Sequence, residues 1–491
     1  MDTPGQKTPV PLPFPAWQAL SPSQAAREVH KRVAALPVPL RTAALAWLRP
    51  EAELAVELER WNDLTPRRSE RVEVSSLHPL HGVPYLLKDL FDAAGVPTKA
   101  GSTFLDQVRP TPGDSAIVQH LRDLGAALAG KTHLVEFASG LTGENPHFGD
   151  CPHPRFPQRL SGGSSSGSAA LVAAGVVPLA MGTDTGGSVR VPAAWCGLHG
   201  FRVTPGDELI RDAVPLSPTM DTAGWFTANP ADMLASWRAI VGRANRLDEP
   251  GQQIMARRAS SDVAAGVSAC RVLREGVAVD SDPQARRPVA TPENSPNQKT
   301  ITPRGCYLPG RGILPSMDPV IDSACEQAAA QFSTRADAAS EATLLSSWKD
   351  AVDAYLTIGM SEAHTYHRDW LAPFHEHYDP VIWQRFTDAG RYPAEKIAAA
   401  RATLQRVRGT WAQFFATFDF LVLPSAPTSA PTKAECTTEL RRGILALTAP
   451  ASLGGLPCLS VPVSLPSGLS AGLQIILPVA NSPVVPWILS R

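Results

Sequence analysis

What the chain lacks narrows its function before any motif is read. Its 491 residues carry almost no net charge, since 45 Lys and Arg against 46 Asp and Glu leave −1 at neutral pH. Nothing electrostatic favours nucleic acid or an anionic membrane surface, so neither is expected as a partner. The seven cysteines, at 151, 196, 270, 306, 325, 436 and 458, include no C-x-x-C pair. That scatter points to neither a zinc site nor a disulfide framework, and reduced thiols in a cytoplasmic protein are the expectation. No stretch reaches the roughly 18 consecutive apolar residues of a membrane span. The opening MDTPGQKTPVPLPFPAW has no cationic region leading into an apolar run, so no secretory signal is expected. No internal repeat is visible.

What is present is core-forming sequence. Hydrophobic residues make up 44% and charged residues 19%, which suits a globular chain. Length alone predicts two to three domains, although a single large mixed sheet is a common exception. Ser21 followed by Pro22 opens a capped helix over SPSQAAREVHKRVAAL, and Glu51 to Trp61 predicts a second. Together they predict an N-terminal helical cap, residues 1–72, ahead of a main domain over 73–491. Val83–Lys88 reads as a buried strand, and Thr111–Leu124 as a helix with Asp114 as its N-cap. Asp221–Gly242 reads as a turn and a helix. Ser, Pro, Arg and Asn accumulate from Asp280 to Thr302, predicting an irregular surface insertion over about 243–315. Asp318–Phe415 is helical in pattern, and strands return after it. Short buried strands alternating with helices predict an α/β fold, a large mixed β-sheet covered by helices on both faces.

The chain is organised around Ser161–Pro192, where two serine- and glycine-rich turns, Gly162–Ser168 and Gly182–Ser188, flank one apolar segment. Paired glycines ahead of a serine mark backbone that a β-carbon would obstruct or that must approach something closely. The segment between them predicts a helix from Ser168 to Ala174, a turn at Gly175 and a strand from Val176 to Met181. Folding back, it brings Ser164 and Ser188 together. Gly163–Gly167 also satisfies G-x-S-x-G, which would make Ser165 a nucleophile. That elbow must follow a buried strand, and CPHPRFPQRLS precedes it here. A phosphate-binding loop is excluded because no Gly-Lys-Ser/Thr closes the glycine run.

The run GGSSSGSAA followed by GTDTGGSVR and PAAWCG resembles the signature of the amidase signature family, serine hydrolases with a Ser-cisSer-Lys triad. KTHLVEFASGLTGENPHFG, HGVPYLLKDLFDAAGVPTKAGS and AGLQIILP resemble its flanking blocks, so the likeness covers most of the chain from residue 75. The resemblance implies Ser188 as nucleophile, Ser164 as the bridging serine with a cis peptide bond before it, and Lys88 as base. It also implies that Ser165 steadies the triad while Asp184 and Arg190 brace the glycine turn, as an ion pair with each other.

Elementary chemistry agrees with these roles. A serine hydroxyl needs a base to take its proton, and attack on a carbonyl needs donors aimed at the developing oxyanion. The backbone N–H groups of Thr185, Gly186, Gly187 and Ser188 offer such a hole. Lys88 ends the apolar strand V-P-Y-L-L-K, where burial should lower its pKa and favour the neutral amine. His133, His147, His153 and His199 fall in predicted loops and acquire no role.

The implied activity is hydrolysis of the amide bond of a small or medium carboxamide through an acyl-enzyme, with esters or carbamates sharing the chemistry. The alternative is the ammonia-releasing component of a tRNA-dependent amidotransferase, its A subunit, acting on glutamine. No metal or cofactor is implied, the partner is a small-molecule amide, and a monomer or homodimer is expected. The aromatics from Tyr355 to Phe386 either line an acyl pocket or pack helices. Two departures from the family pattern stand out: Ala451, where an Asn is common, and the proline-interrupted tail PVANSPVVPWILSR in place of a closing helix.

Overall fold

A computed structural model describes residues 9–60, 78–110, 113–242 and 302–491. Apart from Thr302 they lie in a unit formed by Met1–Gly242 and Pro303–Arg491, and residues 243–301 of the predicted insertion lie outside the described residues. The strands, in chain order, are β1 (Leu45–Leu48), β2 (Pro84–Lys88), β3 (Ala127–Thr132), β4 (Leu179–Asp184), β5 (His199–Arg202) and β6 (Thr222–Thr227). They continue as β7 (Gly305–Tyr307), β8 (Thr334–Arg335), β9 (Phe420–Pro424), β10 (Cys458–Ser464) and β11 (Ser470–Ile476). All join one sheet in the order β1-β3-β2-β4-β6-β5-β10-β11-β9-β7-β8. It is mixed: β2 runs parallel to β3 and β4, whereas β4 to β6, β5 to β10 and β10 to β11 are antiparallel. Every residue of β2, β3, β4, β6, β9 and β11 is buried, as in sheets covered on both faces. The expected α/β architecture is therefore present.

The pairing of β2 with β4 positions the chemistry. Leu87 is in register with Met181, so two parallel strands end at the same edge of the sheet and deliver Lys88 and Thr183 side by side. The helix Ser166–Ala173, SGSAALVA, is built from small and apolar residues and almost wholly buried. Gly167 is required there, because a β-carbon would strike the carbonyl oxygens of Ala44 and His133. The helix thus begins tight against the core, directly after the first serine turn.

Several expectations hold with shifted bounds. The helix Pro22–Ala34 carries a capping box, with Ser21 Oγ accepting the Gln24 N–H at 3.3 Å and Gln24 Oε1 accepting the Ser21 N–H at 2.9 Å. The helix Glu51–Glu59 is present. The N-terminal stretch also supplies strand β1, antiparallel to β3.

Other expectations are corrected. Asp114 is not a cap: the helix is Ala116–Asp123, preceded by Ser115. The Asp114 carboxylate is drawn instead to the Ala94 N–H at 2.8 Å and to Arg122 at 2.5 Å. Thr222–Thr227 is a central strand rather than a turn, because its apolar residues fill the gap between β4 and β5. Gly305–Tyr307, assigned to the irregular insertion, is strand β7, with Cys306 and Tyr307 buried beside Leu421 and Val422 of β9. The tail does close with a helix, Val484–Leu489, burying Val484, Val485 and Ile488. Pro486 falls in its first turn, where no intrahelical N–H bond is lost. No described helix is long and apolar enough to cross a membrane. The six described cysteines are free and buried.

Candidate active site

At the end of β2, Lys88 is fully buried. Its Nζ donates to Ser164 Oγ and to Thr183 Oγ1, both at 2.7 Å. Among the described residues it has no ion-pair partner. Burial pulls its pKa down to about 7, against the opposing charges of Asp184 and Asp221. Near neutral pH a substantial fraction is therefore the free amine, which is able to accept a proton.

The first serine turn closes over that amine. The Gly163–Ser164 peptide bond is cis. Ser165 Oγ accepts the Thr183 N–H at 3.2 Å and donates to the Thr183 carbonyl at 3.0 Å, stapling the turn to β4. The Ser165 N–H in turn donates to the Ser188 carbonyl oxygen at 3.4 Å. The two turns therefore meet backbone to backbone, Lys88 and Ser164 on one side and Ser188 on the other.

The turn that carries Ser188 is held by a buried charge cluster. Asp184 accepts the N–H groups of Gly187 at 2.8 Å, Val189 at 3.0 Å and Arg190 at 3.2 Å. Its carboxylate also pairs with the guanidinium groups of Arg190 at 2.9 Å and Arg202 at 2.8 Å. Burial alone would raise the Asp184 pKa, but the charges of Arg190 and Arg202 hold it far below the usual carboxylate range. Arg190 reaches further, to the Thr448 carbonyl and Gln474 Oε1 at 2.9 Å and to Ser452 Oγ at 2.8 Å. The turn is thereby tied to the helix Thr438–Gly454 and to β11.

The N–H of Gly187 is engaged by Asp184, so Gly187 braces the turn rather than offering a free donor. The N–H groups of Thr185, Gly186 and Ser188 meet no protein acceptor among the described residues. Gly186 has no room for a side chain, since a β-carbon would enter the Tyr355 ring. Thr185 Oγ1 donates to Asp221 Oδ1 at 2.5 Å, and Asp221 Oδ2 accepts the N–H groups of Leu216 and Ser217 at 2.9 Å.

Ser188 lines a cavity of about 270 Å³ walled by Leu141, Leu216, Tyr355, Met360 and Leu445, with Arg385, Tyr392, Arg441 and Arg442 also lining it. Of the aromatics singled out in the sequence, Tyr355 lines this cavity. Phe374 and Tyr378 pack on Phe104, and Phe386 packs on His367. The histidines stand apart from the chemistry. Burial lowers the pKa of His133, His153 and His199 to about 4, and His147 bonds to Glu136 at 2.9 Å. His199 lies on β5 rather than in a loop.

Sequence reasoning missed Thr183, Arg202, Asp221 and Gln474. Two of them left a trace. Gln474 is the one polar side chain inside AGLQIILP, and Arg202 is a charge at the end of the buried strand HGFR. Such residues need partners when buried. Thr183 lies inside the GTDTGGS run, but nothing in that run distinguishes its hydroxyl from its neighbours', and Asp221 had no signal, because acidic residues are ordinary in turns.

Comparison with known proteins adds a second line. The family model described as Amidase matches residues 65–481. The chain is 32% identical over 455 residues to the A subunit of the glutamyl-tRNA(Gln) amidotransferase of Acidothermus cellulolyticus, covering 88% of this chain and 84% of that one. It is 31% identical over 421 residues to the AtzE component of the 1-carboxybiuret hydrolase of a Pseudomonas species, covering 83% and 82%. Among solved structures, a chain of a vestigial protein complex described as revealing the evolutionary origins of an s-triazine catabolic enzyme superposes with a TM-score of 0.72 at 26% identity, over 95% of this chain and 93% of the other.

Proposed function

The chain belongs to the amidase family, and from that premise we propose that it hydrolyses the carbon–nitrogen bond of a small or medium carboxamide through an acyl-enzyme on Ser188. One observation carries this reading above the others. The Lys88 amine is buried with no ionic partner among the described residues, 2.7 Å from Ser164 Oγ, in a turn bonded to the backbone of Ser188. A structural lysine in the core would be paired with a carboxylate, as Lys131 is with Asp89 at 2.5 Å.

In the proposed cycle, neutral Lys88 takes a proton from Ser164 as Ser164 takes one from Ser188, and Ser188 Oγ attacks the amide carbon. The oxyanion rests on free N–H groups of the Thr185–Ser188 turn. Ser164 returns a proton to the departing amine. Water then enters by the same relay and releases the acid. Esters and carbamates are within reach of the same acyl transfer.

The likeness to an amidotransferase component over most of both chains supports a second reading, in which the same site releases ammonia from glutamine for a partner. A hydrolysis screen over aliphatic amides, anilides, glutamine, esters and carbamates, with Ser188→Ala as control, tests the first reading. Turnover of at least one amide that vanishes in Ser188→Ala supports it, and equal turnover in that variant contradicts it. Glutaminase activity that appears only with co-purified partner proteins favours the second.

A further inference from the structure

Asp221 is a buried carboxylate that the proton relay does not use. It is 7% exposed, and among the described residues it pairs with no cation. Burial raises its pKa, with hydrogen bonds from Thr185, Ser217 and Leu216 opposing. An acid kept in the core without a counter-ion is costly unless its oxygens are engaged, and here the two oxygens serve different partners. Oδ2 accepts the N–H groups of Leu216 and Ser217, both at 2.9 Å, while the Asp221 N–H donates to the Ser217 carbonyl at 2.7 Å. These bonds close the loop on itself and need only that one oxygen. Oδ1 is left to Thr185 Oγ1, which donates to it at 2.5 Å.

The sheet register brings the two residues together. Asp184, the last residue of β4, is paired antiparallel with Thr222, the first of β6, so one step beyond the ladder Thr185 stands opposite Asp221. Thr185 opens the turn that ends in Ser188, and each part of that turn has its own anchor. Asp184 holds the N–H groups of Gly187 and Val189, and Thr448 Oγ1 donates to the Gly186 carbonyl at 2.6 Å. Among the described residues the Thr185 hydroxyl has Asp221 alone. A β-branched side chain has few χ1 choices, so fixing Oγ1 fixes the orientation of the residue. The loop that carries Asp221 is held in turn from outside. Ser217 Oγ and the Thr219 N–H donate to Glu362 Oε2 at 2.6 and 3.1 Å, on the helix Ala351–His367 that also carries Tyr355.

Building on the acyl-transfer reading above, we propose that Asp221 is a positioning residue of the oxyanion turn, whose Oδ1 holds Thr185 Oγ1 so that the Thr185 N–H is aimed at the oxyanion formed when Ser188 attacks. It acts through Thr185 and touches none of the reacting atoms. Oxyanion donors act in the transition state more than in binding, so loss of this contact is read in rate rather than in affinity.

The test is phosphonylation by a fluorophosphonate, in which Ser188 Oγ bonds phosphorus, fluoride leaves and the phosphoryl oxygen needs the same donors. Rates are taken at pH 9, where Lys88, with a pKa of about 7, is almost wholly the free amine. Thr185→Val keeps the charge of Asp221 and its loop bonds and removes only the hydroxyl. Its kinact should fall about 10–100-fold, the cost of a misplaced donor, with KI unchanged. Thr185→Ser keeps a hydroxyl and should recover most of that loss. Asp221→Asn should also slow labelling, and adding Thr185→Val to it should cost little more, because both changes break one contact. Thermal melts of every variant set a labelling temperature at which all are folded.

Labelling of Thr185→Val at the wild-type kinact, equal losses in Thr185→Ser and Thr185→Val, or losses that multiply in the double variant overturn the assignment. In those cases a wild-type adduct on Ser188 leaves the acyl-transfer reading standing. Absence of that adduct from the wild type overturns both.

Discussion

Lys88 Nζ lies 2.7 Å from Thr183 Oγ1, a contact set by the parallel pairing of β2 with β4. With Ser164 Oγ also at 2.7 Å, two hydroxyls bond the amine and, among the described residues, no carboxylate does. If that amine is the base, kcat/KM rises with pH along a limb centred near 7, the value to which burial lowers Lys88. Thr183→Val removes a hydrogen bond that favours the charged form, so it should move the limb to lower pH. A pH–rate profile of both proteins checks this, and a limb unmoved by the substitution speaks against it.

The same shift bears on stability. Lys88 has a lower pKa folded than unfolded, where ~10.4 is usual. The unfolded chain therefore binds more protons between these values, and stability rises with pH across that window. Lys88→Met removes the dependence, so its advantage in stability over the wild type should be largest below pH 7 and shrink towards pH 10. Denaturant midpoints at pH 6, 8 and 9.5 measure it.

The Asp184 cluster predicts an unequal response to losing either arginine. Arg190 bonds Asp184, Thr448, Gln474 and Ser452, whereas two of the Arg202 side-chain nitrogens, Nε and Nη2, have no partner among the described residues. Arg190→Met should cost about 3–5 kcal/mol, typical of breaking a buried pair. Arg202→Met should cost less, because it also removes two unsatisfied donors. Tm and denaturant midpoints of the two variants rank them, and the reverse order would contradict the bonding described here.

Gly186 faces the Tyr355 ring with no space for a methyl group. Gly186→Ala should displace the turn ahead of Ser188 and lower kcat by about tenfold or more, as a misplaced oxyanion donor does. Tyr355→Ala should restore part of that loss when combined with it. A double-mutant cycle gives the coupling, and additive losses would show that the two residues do not interfere.

Both serine turns, the α/β fold and the lysine at the end of β2 were legible because small residues beside apolar runs have few structural uses. In the structure Lys88 bonds Ser164, Ser165 bonds the backbone of Thr183, and Asp184 pairs with Arg190. What sequence missed was carried by long-range contacts. Thr183 becomes notable only once β2 and β4 are known to be parallel, and Gln474 only once β11 is known to pass Arg190. The strand Thr222–Thr227 was hidden because DTAGWFT opens with residues that equally start a turn. Gly187 illustrates a finer limit, since only coordinates show that its N–H is already held by Asp184.

The most direct test is active-site labelling with a fluorophosphonate, followed by peptide mass mapping. A Lys88–Ser164–Ser188 relay predicts one adduct, on Ser188, formed at least ~100-fold more slowly in Lys88→Ala, within the usual contribution of a general base, and absent in Ser188→Ala. An adduct on another serine, or labelling of Lys88→Ala at the wild-type rate, would contradict it.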